Sequence, residues 1–152
     1  NPYMNNHRQQ LVAPNVTEML TITADGKMFS CTFCNASVSL NTMRVHISYH
    51  LLKSPGLVKE NTCGFCGLVG CTTVLTKTKH GMQKPQSDCK RFYCFRLAMA
   101  GKLTNRNLST NIPILCPSCP TEANKYVWKY CLPAHMKSSH NGIAVSAEFQ
   151  TR

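Results

Sequence analysis

Residues 31–50 read CTFCNASVSLNTMRVHISYH, so that Cys31 and Cys34 form a C-x2-C turn and His46 and His50 follow after eleven residues, four apart. A C-x2-C turn aims two thiolates at one ion, and two histidines four apart share one face of a helix. The four side chains can therefore close a tetrahedral zinc site. The pattern returns near the other end of the chain as Cys116, Cys119, His135 and His140, in the spacing C-x2-C-x15-H-x4-H. Between the two lies Cys63-Gly64-Phe65-Cys66-Gly67, followed by Cys71, His80, Cys89 and Cys94. For this middle site the preferred set is Cys63, Cys66, Cys71 and Cys89, with His80 and Cys94 as alternative ligands.

Three zinc ions are thus expected to organise 152 residues. Units of this size bury little apolar surface, and structural zinc contributes about 10 kcal/mol or more of apparent binding free energy in its place. The expected division is an arm and hairpin at 1–27, a Cys2His2 module at 28–52, a four-cysteine module and linker at 53–110, a second Cys2His2 module at 111–143 and a tail at 144–152.

Local signals fill in these units. Residues 1–15 are polar, with Pro2 and Pro14, and read as a flexible arm; Asp25-Gly26 marks a hairpin turn. From Ala36 to His50 the chain lacks Gly and Pro, and Val38, Met43, His46, Ile47 and His50 recur at helical spacing, up to the stop at Ser54-Pro55-Gly56. β-branched residues over 72–79 and a second run over 90–97 predict a hairpin bridged by a loop at 81–87, with Cys71 and Cys89 each just before a strand and Cys94 buried on one. Pro133 is tolerated only in a first helical turn, which starts the last helix near Leu132. Cys131, four residues before His135, reads as packing.

Seventeen Lys and Arg against six Asp and Glu give a net charge of +11, an excess that draws polyanions. Basic residues interleave with aromatics around Lys90, Arg91, Phe92, Tyr93, Phe95 and Arg96, a pattern that grips phosphate and sugar faces. The competing reading of ten cysteines is a secreted protein with five disulfides, towards which the sequons at Asn15, Asn35 and Asn107 lean. It leaves the histidine spacing unexplained, so a reducing intracellular setting is expected. No apolar run approaches the length of about 18 residues needed to cross a bilayer. The first residue, Asn1, suggests an excised or processed fragment.

The outer modules resemble Cys2His2 zinc fingers. The wider arrangement is similar to multi-finger proteins of mushroom-forming fungi, on the strength of Cys63-Gly64-Phe65-Cys66-Gly67, Ser87-Asp88-Cys89, Asn111-Ile112-Pro113, Cys116-Pro117-Ser118-Cys119-Pro120 and Trp128-Lys129-Tyr130. This resemblance implies two ββα-like Cys2His2 fingers flanking a four-cysteine β-hairpin module, a fold of small α+β zinc-stabilised modules. It also implies a nuclear protein related to transcription or to mobile elements. The chain departs from the common pattern in having eleven and fifteen residues between Cys and His, and it lacks the Thr-Gly-Glu-Lys-Pro linker.

In familiar fingers four helix positions read bases. Here they hold Ser39, Asn41, Thr42 and Val45 in the first finger and Trp128, Tyr130, Cys131 and Ala134 in the last. Only Asn41 has the bidentate geometry for adenine, so the three-base code does not carry over. Phosphate contacts are expected from Lys77, Lys79, Lys84, Lys90, Arg91, Arg96, Lys129 and Lys137, and base contacts from Arg44, Asn41 or loop residues. The function expected is binding of nucleic acid, as double-stranded DNA; the alternative is a zinc-stabilised protein-interaction module presenting Trp128, Tyr130 and Phe92. Catalysis is not expected. No histidine begins an H-x-E motif, the carboxylates are scattered, and four protein ligands per ion leave no position for water.

Overall fold

The computed structural model describes residues 21–23 and 26–142. The expected N-terminal arm, Asp25 of the expected turn and the C-terminal tail lie outside these residues. Strands β1 (Thr21–Thr23), β2 (Gly26–Ser30) and β3 (Ser37–Ser39) make an antiparallel sheet in that order, and helix α1 (Leu40–Lys53) packs on it. Strands β4 (Thr73–Lys77) and β5 (Gln83–Ser87) form a hairpin, followed by the single-turn helix α2 (Leu97–Ala100). Strands β6 (Pro113–Leu115) and β7 (Tyr126–Trp128) form another; a 3-10 turn at Lys129–Cys131 then leads into helix α3 (Leu132–Ser139). The architecture is small α+β with short antiparallel hairpins.

Helix α1 is buried along three rows, each with its own task. Met43, Ile47 and Leu51 face the sheet and close a core with Phe29 and Val38. His46 and His50 turn towards the Cys31–Cys34 knuckle, and Arg44 and Ser48 face the segment at 107–111. Val38 belongs to β3, opposite Phe29, rather than to the helix. A β-branched side chain suits a half-buried strand, and the helix starts only after Ser39, whose extended backbone makes it the N-cap.

The second expected strand moves. β5 lies at 83–87, within the stretch read as a loop, and its fully buried Pro85 sits opposite Leu75. Residues 90–96 carry no strand, and Cys94 is exposed. A proline and three long polar residues hid β5 from any reading by β propensity. The aromatic run instead packs over the middle site, where Phe92 and Phe95 meet Phe65.

Phe65, 1% exposed, is the meeting point of the second and third modules: its ring stands edge-on to Trp128 at 5.0 Å and to Phe92 at 5.4 Å. Gly64 has no room for a side chain, since an added Cβ would fall 2.3 Å from the Trp128 ring. On the other flank, Thr32 donates to the Cys66 carbonyl at 2.5 Å, and Phe33 occupies the space a side chain at Gly67 would need. The end of the expected linker and the start of the last module, 101–115, form a structural strut with Ser109, Asn111 and Pro113 buried. Arg44, 8% exposed, donates to the Asn111 carbonyl at 2.6 Å and to Asn107 Oδ1 at 2.8 Å, and it lies over the Phe95 ring. Asn111 in turn accepts from the Tyr130 amide at 2.9 Å. The three units are therefore packed into one body. Phe65→Ala is expected to cost about 3–5 kcal/mol in urea unfolding and to shift the emission of Trp128, the chain's one tryptophan, to the red.

Candidate metal centres

Three clusters of four ligands assemble among the described residues: Cys31, Cys34, His46 and His50; Cys63, Cys66, Cys71 and Cys89; Cys116, Cys119, His135 and His140. In each, the donor atoms lie within 4.8 Å of one another. Around a tetrahedral zinc, bond lengths of about 2.0–2.1 Å to nitrogen and about 2.3 Å to sulfur put two nitrogens about 3.3 Å apart, a mixed pair about 3.5 Å and two sulfurs about 3.8 Å. Here His46 and His50 bring their Nε2 atoms to 3.2 Å, Cys34 Sγ lies 3.3 Å from His46 Nε2, and Cys66 and Cys71 Sγ stand 3.7 Å apart. In the third cluster Cys119 Sγ is 3.4 Å from His135 Nε2 and 3.3 Å from His140 Nε2. Each separation matches an edge of the tetrahedron, so each cluster could hold one metal ion. All ten cysteines are free thiols, none in a disulfide.

Backbone geometry explains how short loops place the sulfurs. In the first two knuckles the residue after the second cysteine adopts positive φ, Asn35 at 59° and Gly67 at 77°, and its amide returns to the carbonyl of the first cysteine at 2.9 and 2.8 Å. The amides of Phe33 and Phe65 then point at Cys31 and Cys63 Sγ, 3.3 and 3.4 Å away. Such N–H donors stabilise thiolate. The third knuckle has Pro120 in place of the left-handed residue, so the chain makes a longer excursion and closes through the Cys116 amide and the Lys125 carbonyl at 3.1 Å.

The middle site draws its other two sulfurs from the base of the β4–β5 hairpin. Antiparallel pairing brings the start of β4 beside the end of β5, so Cys71 before β4 and Cys89 after β5 become neighbours; the expectation that both precede strands is corrected accordingly. Asp88 ties this base, accepting from the Thr72 amide at 2.7 Å, and the Arg91 amide points at Cys89 Sγ as in the other knuckles. His80 lies at the opposite, exposed end of the hairpin, and Cys94 stands outside the cluster, so neither alternative ligand belongs to it.

Burial opposes charge in these sites when no cation is present: desolvation pushes the Cys31 thiol up to about 12. Among the four middle sulfurs, hydrogen bonds from Cys63 and Cys89 draw Cys66 down while the same contact pushes Cys63 up, so one sulfur carries charge at its neighbours' expense. A bound cation removes that conflict by displacing the protons.

Sequence reasoning missed Glu60. Its Oε2 lies 3.2 Å from His135 Nδ1 and accepts from Ser138 Oγ at 2.6 Å and Ser139 Oγ at 3.1 Å. The serine hydroxyls first, and His135 after them, hold its carboxyl below the usual range. A carboxylate on Nδ1 fixes the tautomer that leaves Nε2 for a metal, and this one comes from outside the third module. No local spacing signals a contact across that distance. Cys131, fully buried against the Thr62 carbonyl with its thiol pushed up to about 12 by burial, packs as expected.

The residues proposed for nucleic acid separate into two groups. Lys77, Lys79, Lys84, Lys90, Arg96, Lys137 and Asn41 are exposed, and Lys129 is half-buried. Arg44 and Arg91 are buried; the first holds the 107–111 segment, and the second lies over the Phe29 ring at 5.6 Å. Their readings as exposed surface contacts are corrected, because both guanidiniums are engaged inside the body. Trp128 and Tyr130 are likewise buried. Comparison with protein-family models, with curated proteins and with solved structures gave no match.

Two results are expected. Elemental analysis should find three metal ions per chain, unchanged in Cys94→Ser and reduced to two, or to a weak third, in Cys71→Ser. Glu60→Gln should loosen the ion held by His135 and His140 about 10- to 100-fold, measured by competition with a chromophoric chelator, and leave the site of His46 and His50 unaffected.

Proposed function

We propose that the chain is a zinc-finger protein that binds nucleic acid, as double-stranded DNA, with two ββα-like Cys2His2 fingers flanking a four-cysteine β-hairpin module. Zinc is the ion proposed for all three sites. Thiolate and imidazole in tetrahedral sets of S4 and S2N2 suit it, and a reducing intracellular setting keeps such thiols available. The order strand, knuckle, strand, helix in the first and third modules supports the finger reading. With four protein ligands apiece, the sites leave no open position for substrate, which favours binding over catalysis.

One observation carries the nucleic-acid reading: the cations are on the surface and the carboxylates do not neutralise them. Of the described acids, Glu60 is held by His135 and two serines, Asp88 ties the hairpin base, and Glu122 stands on a short 3-10 turn. Lys77, Lys79 and Lys84 remain on the exposed β4–β5 hairpin. Recognition proceeds through phosphate contacts from this surface, with Asn41 left as the one exposed base-reading candidate of the first finger. The last finger contributes no such row, since Trp128, Tyr130 and Cys131 are interior. A protein-interaction module presenting Trp128 and Tyr130 loses support for the same reason. A nuclear role connected with transcription or mobile elements fits the proposal, and no described helix is long and apolar enough to cross a membrane.

Titration of the zinc-loaded protein into a labelled random-sequence duplex tests the reading. Affinity should fall by about 10³ or more between 50 and 200 mM salt if six or more phosphates are neutralised. Absence of binding at the lowest salt overturns it, and a partner retained through nuclease treatment would favour the protein-interaction reading.

A further inference from the structure

The segment from Tyr93 to Asn107 folds into a broad groove whose floor is Arg44 and whose walls carry Arg96, Lys102 and Arg106. The three wall cations are exposed, and among the described residues no carboxylate lines the groove. Tyr93 and Met99, 43% and 64% exposed, add an aromatic face and a pliable apolar one beside them.

Arg44 gives the groove a property that surface charge alone would not. It is almost completely buried, and its guanidinium donates to neutral acceptors, the carbonyls of Ser109 and Asn111 and the amide oxygen of Asn107, with the Phe95 ring across its face at 4.9 Å. Buried charges are ordinarily paired with an opposite charge, because desolvation is costly. Among the described residues no counter-charge meets it, so the positive field of Arg44 extends into the groove it lines.

The walls are also held in place. Asn107 donates through Nδ2 to the carbonyls of Ala100 at 2.9 Å and Lys102 at 2.7 Å, while its Oδ1 accepts from Arg44. Thr104 and Asn107 exchange backbone hydrogen bonds at 2.9 and 3.2 Å. The loop that carries Lys102 and Arg106 is therefore braced against the same guanidinium that makes up the floor.

We infer that this groove is an anion channel for one phosphodiester backbone of a nucleic acid, in which Arg96, Lys102 and Arg106 neutralise successive phosphates and Tyr93 lies along the sugars or an unstacked base. The occupant follows from charge complementarity: three exposed cations around a buried one match a polyanion, and an aromatic beside them matches the stacking surface such a strand supplies. This rests on the nucleic-acid reading above. It adds Lys102 and Arg106 to the phosphate contacts of the hairpin lysines, on a loop that Arg44 braces from inside.

The test is fluorescence anisotropy of a labelled 20-base-pair duplex and a labelled 20-nucleotide single strand, across a potassium chloride series, with zinc-loaded protein. The triple variant Arg96→Gln, Lys102→Gln, Arg106→Gln is compared with a charge-matched one, Lys53→Gln, Lys59→Gln, Lys125→Gln, whose lysines are exposed and outside the groove. Retention of metal content and of the far-UV circular dichroism spectrum shows each to be folded. The groove variant should lose about 2.7 from the magnitude of the log–log salt slope with duplex, or about 2.1 with the single strand, and the control less than half of that. Wild-type binding with equal losses in the two variants overturns the groove while leaving the nucleic-acid reading in place. If wild type binds neither probe at the lowest salt, both fall together.

Discussion

Everything else in this protein leans on the knuckle at Cys63–Gly67. Five residues hold two ligands of the middle site, and two glycines leave its backbone open to close approach from either side. The indole of Trp128 lies against Gly64 and the ring of Phe33 against Gly67, distances at which any side chain would collide. Phe65 projects between them into a cluster with Phe92, Phe95 and Trp128. The same five residues thus carry two of the four sulfurs of the middle cluster and the contacts to both neighbours, so the geometry of that cluster is tied directly to the packing on either side.

The same constraint explains why residues that look suited to recognition are spent on architecture. Arg44, Trp128 and Tyr130 stand on or beside helices, and here they bind one module to the next. A body this small has few large side chains, and joining its three units requires several of them. What is left for the outside is charge: lysines on a hairpin, and a loop of arginine and lysine braced by Asn107.

Much of the clustering of candidate ligands was legible because their spacing is a local property. Cys31 with Cys34 and His46 with His50 are brought together by a single turn and a single helix, and the last cluster of Cys116, Cys119, His135 and His140 follows the same rule. The hairpin was half legible: β4 has the β-branched residues a strand favours, whereas β5 reads Gln-Lys-Pro-Gln-Ser and is a strand only because β4 pairs with it. Contacts between distant segments left no local trace. Glu60 reaching His135 across 75 positions, and Arg44 meeting Asn111 across 67, depend on how the modules dock.

Glu60 has a consequence for how such a chain can change over generations. Fingers joined by loose tethers can be duplicated, deleted or exchanged one at a time, since each carries everything it needs. Here the last unit borrows the carboxylate that orients its histidine from the stretch behind the first helix, so a copy of it inserted elsewhere would arrive incomplete. Descent of this architecture is expected to run through the whole assembly, inherited as a block.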